Sequence, residues 1–175
     1  GANVDRKFTI EQDVQLGTSN PATVTETVGG VARNIAENIG RLGNHVSLIT
    51  VMGDDHDATY IEQNCNATMS LDLVEKLKDY KTGSYTAVLA HSGELVISMA
   101  NMEIYEQLSP TVLKKYESIM QNASCLIIDL NCPLATVEYV REFAHERKIP
   151  FAIIPVSSPK MKNMPQDLHG VHYFI

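Results

Sequence analysis

The run ETVGGVARN, Glu26 to Asn34, sets two adjacent glycines ahead of an amphipathic stretch, with an asparagine one turn later. Glycines at a strand-to-helix corner permit unusual backbone angles and let a ligand approach the main chain, while the first-turn amides of a helix point outward as donors. Such a corner can hold phosphate oxygens or sugar hydroxyls. Phosphate is disfavoured: neither a GxxxxGK[ST] loop nor a GxGxxG turn is present, and the preceding TVTETV alternates like a flap strand instead of a core strand. The Asn34 amide donates and accepts at once, which suits a diol; the same position also suits a residue that only supports the first turn. Asn3 and Asp5, in the opening GANVD, share one side of an extended strand. A carboxylate ending a strand at the carboxyl edge of a parallel sheet stands where open α/β folds bind ligands, so Asp5 is placed to accept from two ribose hydroxyls.

Other polar residues divide by context. Asp129, in LIIDLN beside Asn131, is either catalytic or an organiser of a pocket. Asp54, Asp55 and Asp57 surround His56 without EF-hand spacing and are read as helix caps. The six histidines show no metal spacing, so no metal site is expected; His45 is read as a loop residue and Lys160 as solvated. Cys65, Cys125 and Cys132 are an odd set without CxxC pairing, read as buried reduced thiols instead of a disulfide or zinc framework.

The elements that must position these groups follow from periodicity. Apolar Val31, Ile35, Ile39 and Leu42 recur at helical spacing, with Arg33, Glu37 and Arg41 on the other side. HVSLITV, CLIIDLN, PFAIIPV and VHYFI read as strands; ATYIEQNCNATM, SPTVLKKYESIMQNA (Ser109 as N-cap, Pro110 at the first position) and PLATVEYVREFAHERK read as helices. Apolar strands separated by helices predict a mostly parallel sheet covered on both faces. Residues 8–28 and 80–99 alternate instead, and predict a small antiparallel lid with one exposed face, whose second hairpin turns at His91-Ser92-Gly93. The expectation is one α/β domain over residues 1–175, a Rossmann-like core with a β lid.

With 175 residues, 44% hydrophobic and 20% charged, the chain can bury a core. Its net charge of -7 is dispersed, which disfavours nucleic acid and anionic membrane as partners. No apolar run approaches the roughly 20 residues of a spanning helix, and GANVDRKFTI lacks the order of a signal peptide, so a cytoplasmic or mitochondrial-matrix location is expected.

On these residues the chain resembles the ribokinase-like (PfkB) sugar kinases, in particular the pseudouridine kinase branch. The similarity runs through GANVD, GTSNPATVTETVGGVARNIAENIGRLG, SLITVMGDD, TGSYTAVLAHSGELVISMANM, LIIDLN and PVSSPK. The resemblance implies a partial ribokinase fold and transfer of the ATP γ-phosphoryl group to the 5'-hydroxyl of a ribosyl nucleoside, with ATP and Mg2+ as cofactors of the full-length kinase. It further implies ribose contacts from Asp5, Gly29, Gly30 and Asn34, a pocket floor at Asn3, a polar ligand contact at Asn131, and lid contacts from Ser19, Asn20 and Tyr85. Lids of this family often pair between subunits, so a homodimer through the lid is expected. The sequence departs from the pattern in three places. No GAGD-type segment is present, so the catalytic base is expected beyond Ile175; Ile154 stands where an aspartate is common; and GANVD resembles the end of a first core strand whose upstream apolar residues are missing. The alternatives are a kinase for another sugar or nucleoside, or a non-catalytic nucleoside-binding or lid-dimerising module.

Overall fold

In the computed structural model, which describes residues 1–175, the strand that holds Asn3 and Asp5 continues past GANVD to Ile10. β1 runs Asn3–Ile10, so Asp5 lies within a strand and not at its carboxyl end. β1 pairs antiparallel with β2 (Ala22–Gly29) and parallel with β5 (Gly83–Leu89), and β5 pairs antiparallel with β6 (Leu95–Asn101). The resulting order is β2-β1-β5-β6. The lid is therefore a mixed sheet and not the purely antiparallel one expected, because the chain traverses the α/β body between β2 and β5 and re-enters beside β1 in the same direction.

That body begins with α1 (Val31–Arg41), β3 (Thr50–Gly53), α2 (His56–Cys65) and β4 (Val74–Leu77). After the lid come α3 (Pro110–Lys114), α4 (Glu117–Met120), β7 (Leu126–Asp129), α5 (Leu134–Arg147), β8 (Phe151–Ile154) and β9 (Tyr173–Phe174). The strand expected over 45–51 starts only at Thr50; before it lies a single bridge, Ser47 to Ser70. The helix expected over 109–123 is two short helices broken near Tyr116, where φ is -112 and ψ is 7. Glu75 on β4 draws both residues at the break, accepting from the Tyr116 hydroxyl at 2.6 Å and pairing with Lys115 at 3.0 Å. Ser109 is the N-cap of α3 but makes no side-chain cap bond.

The parallel strands form two separate sheets, β3-β4 and β7-β8-β9. β3 and β7 each pair on one side only, and between them runs a groove of about 780 Å³ walled by Ile35, Ile39, Leu48, Ile49, Leu126 and Ile128. This opening explains two departures from the buried strand and buried thiols expected there: Ile127 is 39% exposed and Cys125 is exposed. Cys65 and Cys132 are buried. One apolar cluster, including Val4, Met52, Ala58 and Ile61, holds β1 and β3 against α2. A second, including Leu130, Val137, Phe143, Phe151 and Ile153, holds α5 against the β7-β8 pair.

Candidate functional site

Both β1 neighbours bring the candidate residues into register. Asn3 lies opposite Gly29 on one side and Gly83 on the other; Asp5 lies opposite Thr27 and Tyr85. Aligned residues of neighbouring strands share a face, so Asn3, Asp5 and Tyr85 stand on the face that also presents Gly29. The Asn3 amide donates to Asp5 Oδ1 at 2.5 Å. Burial raises the Asp5 carboxyl above its ordinary value of 3.8, and the Asn3 bond together with the charges of Lys7 and Arg33 offsets only part of that rise.

The double glycine is required by close packing. A Cβ at Gly29 would lie 2.3 Å from Asp5 Oδ2, so the carboxylate rests directly on this backbone. Gly30 has φ 101, and a Cβ there would lie 2.2 Å from the Gly1 carbonyl oxygen. The corner is thus clasped to the start of β1. The first turn of α1 is also already engaged: the Ala32 amide donates to Asp129 Oδ2 at 2.9 Å, and the Arg33 amide to the Gly1 carbonyl at 3.3 Å. The helix end is therefore not the open set of donors that the sequence suggested.

Arg33, expected on the polar side of α1, is only 6% exposed and sits beneath the corner. Its guanidinium donates to the Val28 carbonyl at 2.6 Å and the Gly29 carbonyl at 3.4 Å, and bonds Glu37 and Asn34 Oδ1. The strand-end carbonyls pull the arginine inward, because buried carbonyls need donors. Asn34 is exposed one turn past the corner, and with its oxygen held by Arg33 its NH2 is left as a donor. Tyr105 was also missed by sequence reasoning. Its ring is buried under the start of β1, and its hydroxyl donates to the Ala2 carbonyl at 2.7 Å. Burial pushes that phenol far above its usual range. No spacing signal marks either residue, since Arg33 imitates a solvent ladder with Glu37 and Arg41.

Asp129 ends β7 at 1% exposure, beside Ile154 in the register of β8. Burial opposes its charge, but the Gly1 amino group and N–H bonds from Gly1, Ala32 and Asn131 outweigh it and hold the carboxyl below 3.8. Asn131 is brought near the corner by this bond, its amide donating to Asp129 Oδ1 at 3.0 Å. Ser19 and Asn20 are not brought there. They lie in the loop between β1 and β2, beyond the far end of a ribbon that continues about 16 Å past Asp5. The Asn20 side chain is spent inside its own loop, on Gln15 and Thr18.

No group of three or more His, Cys, Asp or Glu side chains is placed to hold a metal ion. Asp55 caps α2 through the Ala58 amide at 3.0 Å and also accepts from Thr82, while Asp57 pairs with Arg6 at 2.5 Å.

Together these features describe an α/β protein with a carboxylate-lined corner between a core helix and a β lid. The model of the pfkB family carbohydrate kinases matches residues 2–175, and the chain belongs to that family. It is 26% identical over 172 residues to a pseudouridine kinase of Escherichia coli K12, covering 98% of this chain and 54% of that protein. It is 28% identical over 149 residues to a pseudouridine kinase of Arabidopsis thaliana, covering 85% of this chain and 39% of that protein. Among solved structures, a carbohydrate kinase from Agrobacterium tumefaciens superposes with a TM-score of 0.90 at 30% identity, over 99% of this chain and 57% of that one. An Arabidopsis thaliana ribokinase complexed with ribose and ATP shares the fold, with a TM-score of 0.81 at 19% identity over 89% of this chain and 51% of that one. The chain spans about half the length of these relatives. No helix is long and apolar enough to cross a membrane.

Proposed function

We propose that this chain carries the sugar-binding half of an ATP-dependent kinase acting on the 5'-hydroxyl of pseudouridine or a related ribosyl nucleoside. The observation that carries the reading is the Asp5 carboxylate lying on Gly29, bonded by Asn3 and in register with Tyr85. A half-buried carboxylate accepts from paired hydroxyls and repels a phosphate, and the engagement of the Ala32 and Arg33 amides weighs against an anion seat at α1. Asp5 would receive two ribose hydroxyls, Asn3 would fix the rotamer of Asp5, and Asn34 would donate from the helix. Tyr85 and the lid face would cover the ring and keep water from the hydroxyl to be phosphorylated. Pseudouridine kinases among the relatives favour a nucleoside over a free sugar. ATP supplies the phosphoryl group in this family, and this chain's own part is to bind and orient the acceptor.

Calorimetry on the chain with pseudouridine, uridine, ribose and inorganic phosphate tests the reading. Binding of pseudouridine in preference to phosphate is expected; tighter binding of phosphate, or of none of the four, overturns it.

A lid-to-lid homodimer belongs to the same proposal. Leu95, Ile97 and Met99 on β6 are each more than half exposed, and β6 is an open edge strand. Apolar side chains on an unpaired edge are the chemistry of strand-to-strand association. Light scattering after size exclusion at micromolar concentration is expected to give twice the chain mass; a monomer there removes the dimer without touching the sugar site.

A further inference from the structure

Asp129 makes the only hydrogen bonds that join the end of β7 to Gly1 and to α1. Its Oδ2 accepts from the Gly1 nitrogen at 2.6 Å and from the Ala32 amide at 2.9 Å, and its Oδ1 accepts from the Asn131 amide at 3.0 Å. These donors sit on three segments that meet nowhere else in sequence: the lead into β1, the first turn of α1, and the loop after β7. Each segment carries part of the candidate sugar site, namely Asn3 with Asp5, Gly29 and Gly30 with Asn34, and Asn131. The carboxylate is 1% exposed and both of its oxygens are taken by these donors, which suits an organiser of the pocket.

We propose that Asp129 is the positioning residue of the ribose site, fixing the β1 lead, the glycine corner and Asn131 at one spacing. The inference rests on the sugar reading of the corner for its functional meaning and on the three bonds for its geometry. A buried carboxylate is costly to desolvate and is tolerated only where donors converge on it. Here it also supplies the missing cap of α1, because the N-cap residue, Gly30, has no side chain to do so. The Gly1 nitrogen is a donor both as an amine and as a peptide N–H, the charged amine being the stronger.

Asp129→Asn tests this with little change of shape, since it replaces one acceptor oxygen by an NH2 group facing N–H donors. Val137→Ala is the control, a fully buried residue on α5 in the cluster that includes Ile128 and Leu130. Three quantities are read on the unmutated chain and both variants: pseudouridine affinity by calorimetry, thermal midpoint, and exchange rates of the Ala32 and Asn131 amides. Asp129→Asn is expected to weaken affinity roughly tenfold or more and to speed exchange at both amides. Val137→Ala is expected to lower the thermal midpoint while keeping affinity and those two rates near those of the unmutated chain. Equal affinity losses in the two variants, or unchanged exchange in Asp129→Asn, overturn the proposal. If the unmutated chain binds no pseudouridine, the sugar reading falls, and the exchange rates alone decide whether Asp129 joins the segments. If Asp129→Asn does not fold, through-hydrogen-bond couplings from the Ala32 and Asn131 nitrogens to the Asp129 carboxyl carbon are measured in the unmutated chain; their presence supports the joint and their absence overturns it.

Discussion

A methyl group added at Gly30 would lie 2.2 Å from the Gly1 carbonyl oxygen, whereas one added at Gly93, in the lid turn, would meet nothing within 4 Å. Both glycines have positive φ, 101 and 87, where L side chains are strained, but their surroundings differ. At the corner, Asp5 rests on Gly29, Arg33 holds two carbonyls, and Asp129 binds three segments. In the outer lid every residue of β6 is exposed, and the loop between β1 and β2 is held mainly by Asn20 bonding to its own neighbours. A dense, fully partnered region opens only with much of the fold, while a sparsely packed ribbon moves at low cost. That difference suits the proposed division, in which the close-packed corner recognises the sugar and the lid closes over it.

Gly30→Ala should give the largest effect. Positive φ and backbone overlap together should cost about 3 kcal/mol, read as a lowered urea midpoint with loss of nucleoside binding; a change under about 1 kcal/mol would mean that the corner yields as easily as the lid. Asp5→Ala should weaken pseudouridine binding roughly 10- to 100-fold while the chain stays folded, as expected for hydrogen bonds to a charged acceptor. Unchanged calorimetric affinity would move the site elsewhere.

Acid should reproduce part of that loss. Because the folded-state pKa of Asp5 is raised, the carboxyl takes up its proton above 3.8, and affinity should begin to fall there as pH drops. Protonation of a raised-pKa group adds stability as pH falls through its folded value, so Asp5 itself does not drive unfolding. Asp129 has the opposite sign: its lowered pKa contributes stability above 3.8 that is lost only as pH falls through its still lower folded value. Binding should thus be lost before the fold, and circular dichroism run beside calorimetry from pH 7 to 3 would expose the reverse order.

Smaller effects belong to the lid. Gly93→Ala should cost about 1 kcal/mol, the backbone term alone, and a urea-midpoint loss matching that of Gly30→Ala would erase the contrast. Ile97→Lys, at a position 55% exposed, should alter stability by no more than about 0.5 kcal/mol while abolishing association seen by light scattering.

Much of the lid and body was legible because periodicity survives folding: alternation marked β2, β5 and β6, and helical spacing marked α1, α2 and α5. Asp55 was recognisable as a cap because its partner lies three residues away. The parallel pairing of β1 with β5 was not legible, since nothing local distinguishes a strand that meets its hairpin partner from one that meets a strand some 80 residues on. The break at Tyr116 was hidden for the same reason, as Glu75 lies 41 residues away.

The sequence by itself determined the residue types at the corner: two glycines, an asparagine one turn later, and a carboxylate two residues after Asn3. It also determined the family, whose model matches residues 2–175. Only the tertiary structure decided what those residues touch. The glycines admit the Asp5 carboxylate and the Gly1 carbonyl, the first-turn amides of α1 are taken, Arg33 turns inward, and Asp129 holds the segments together. Each of these rests on a buried group meeting a partner far away in the chain, and the demand that buried polar groups be paired is met in three dimensions, where sequence spacing carries no trace of it.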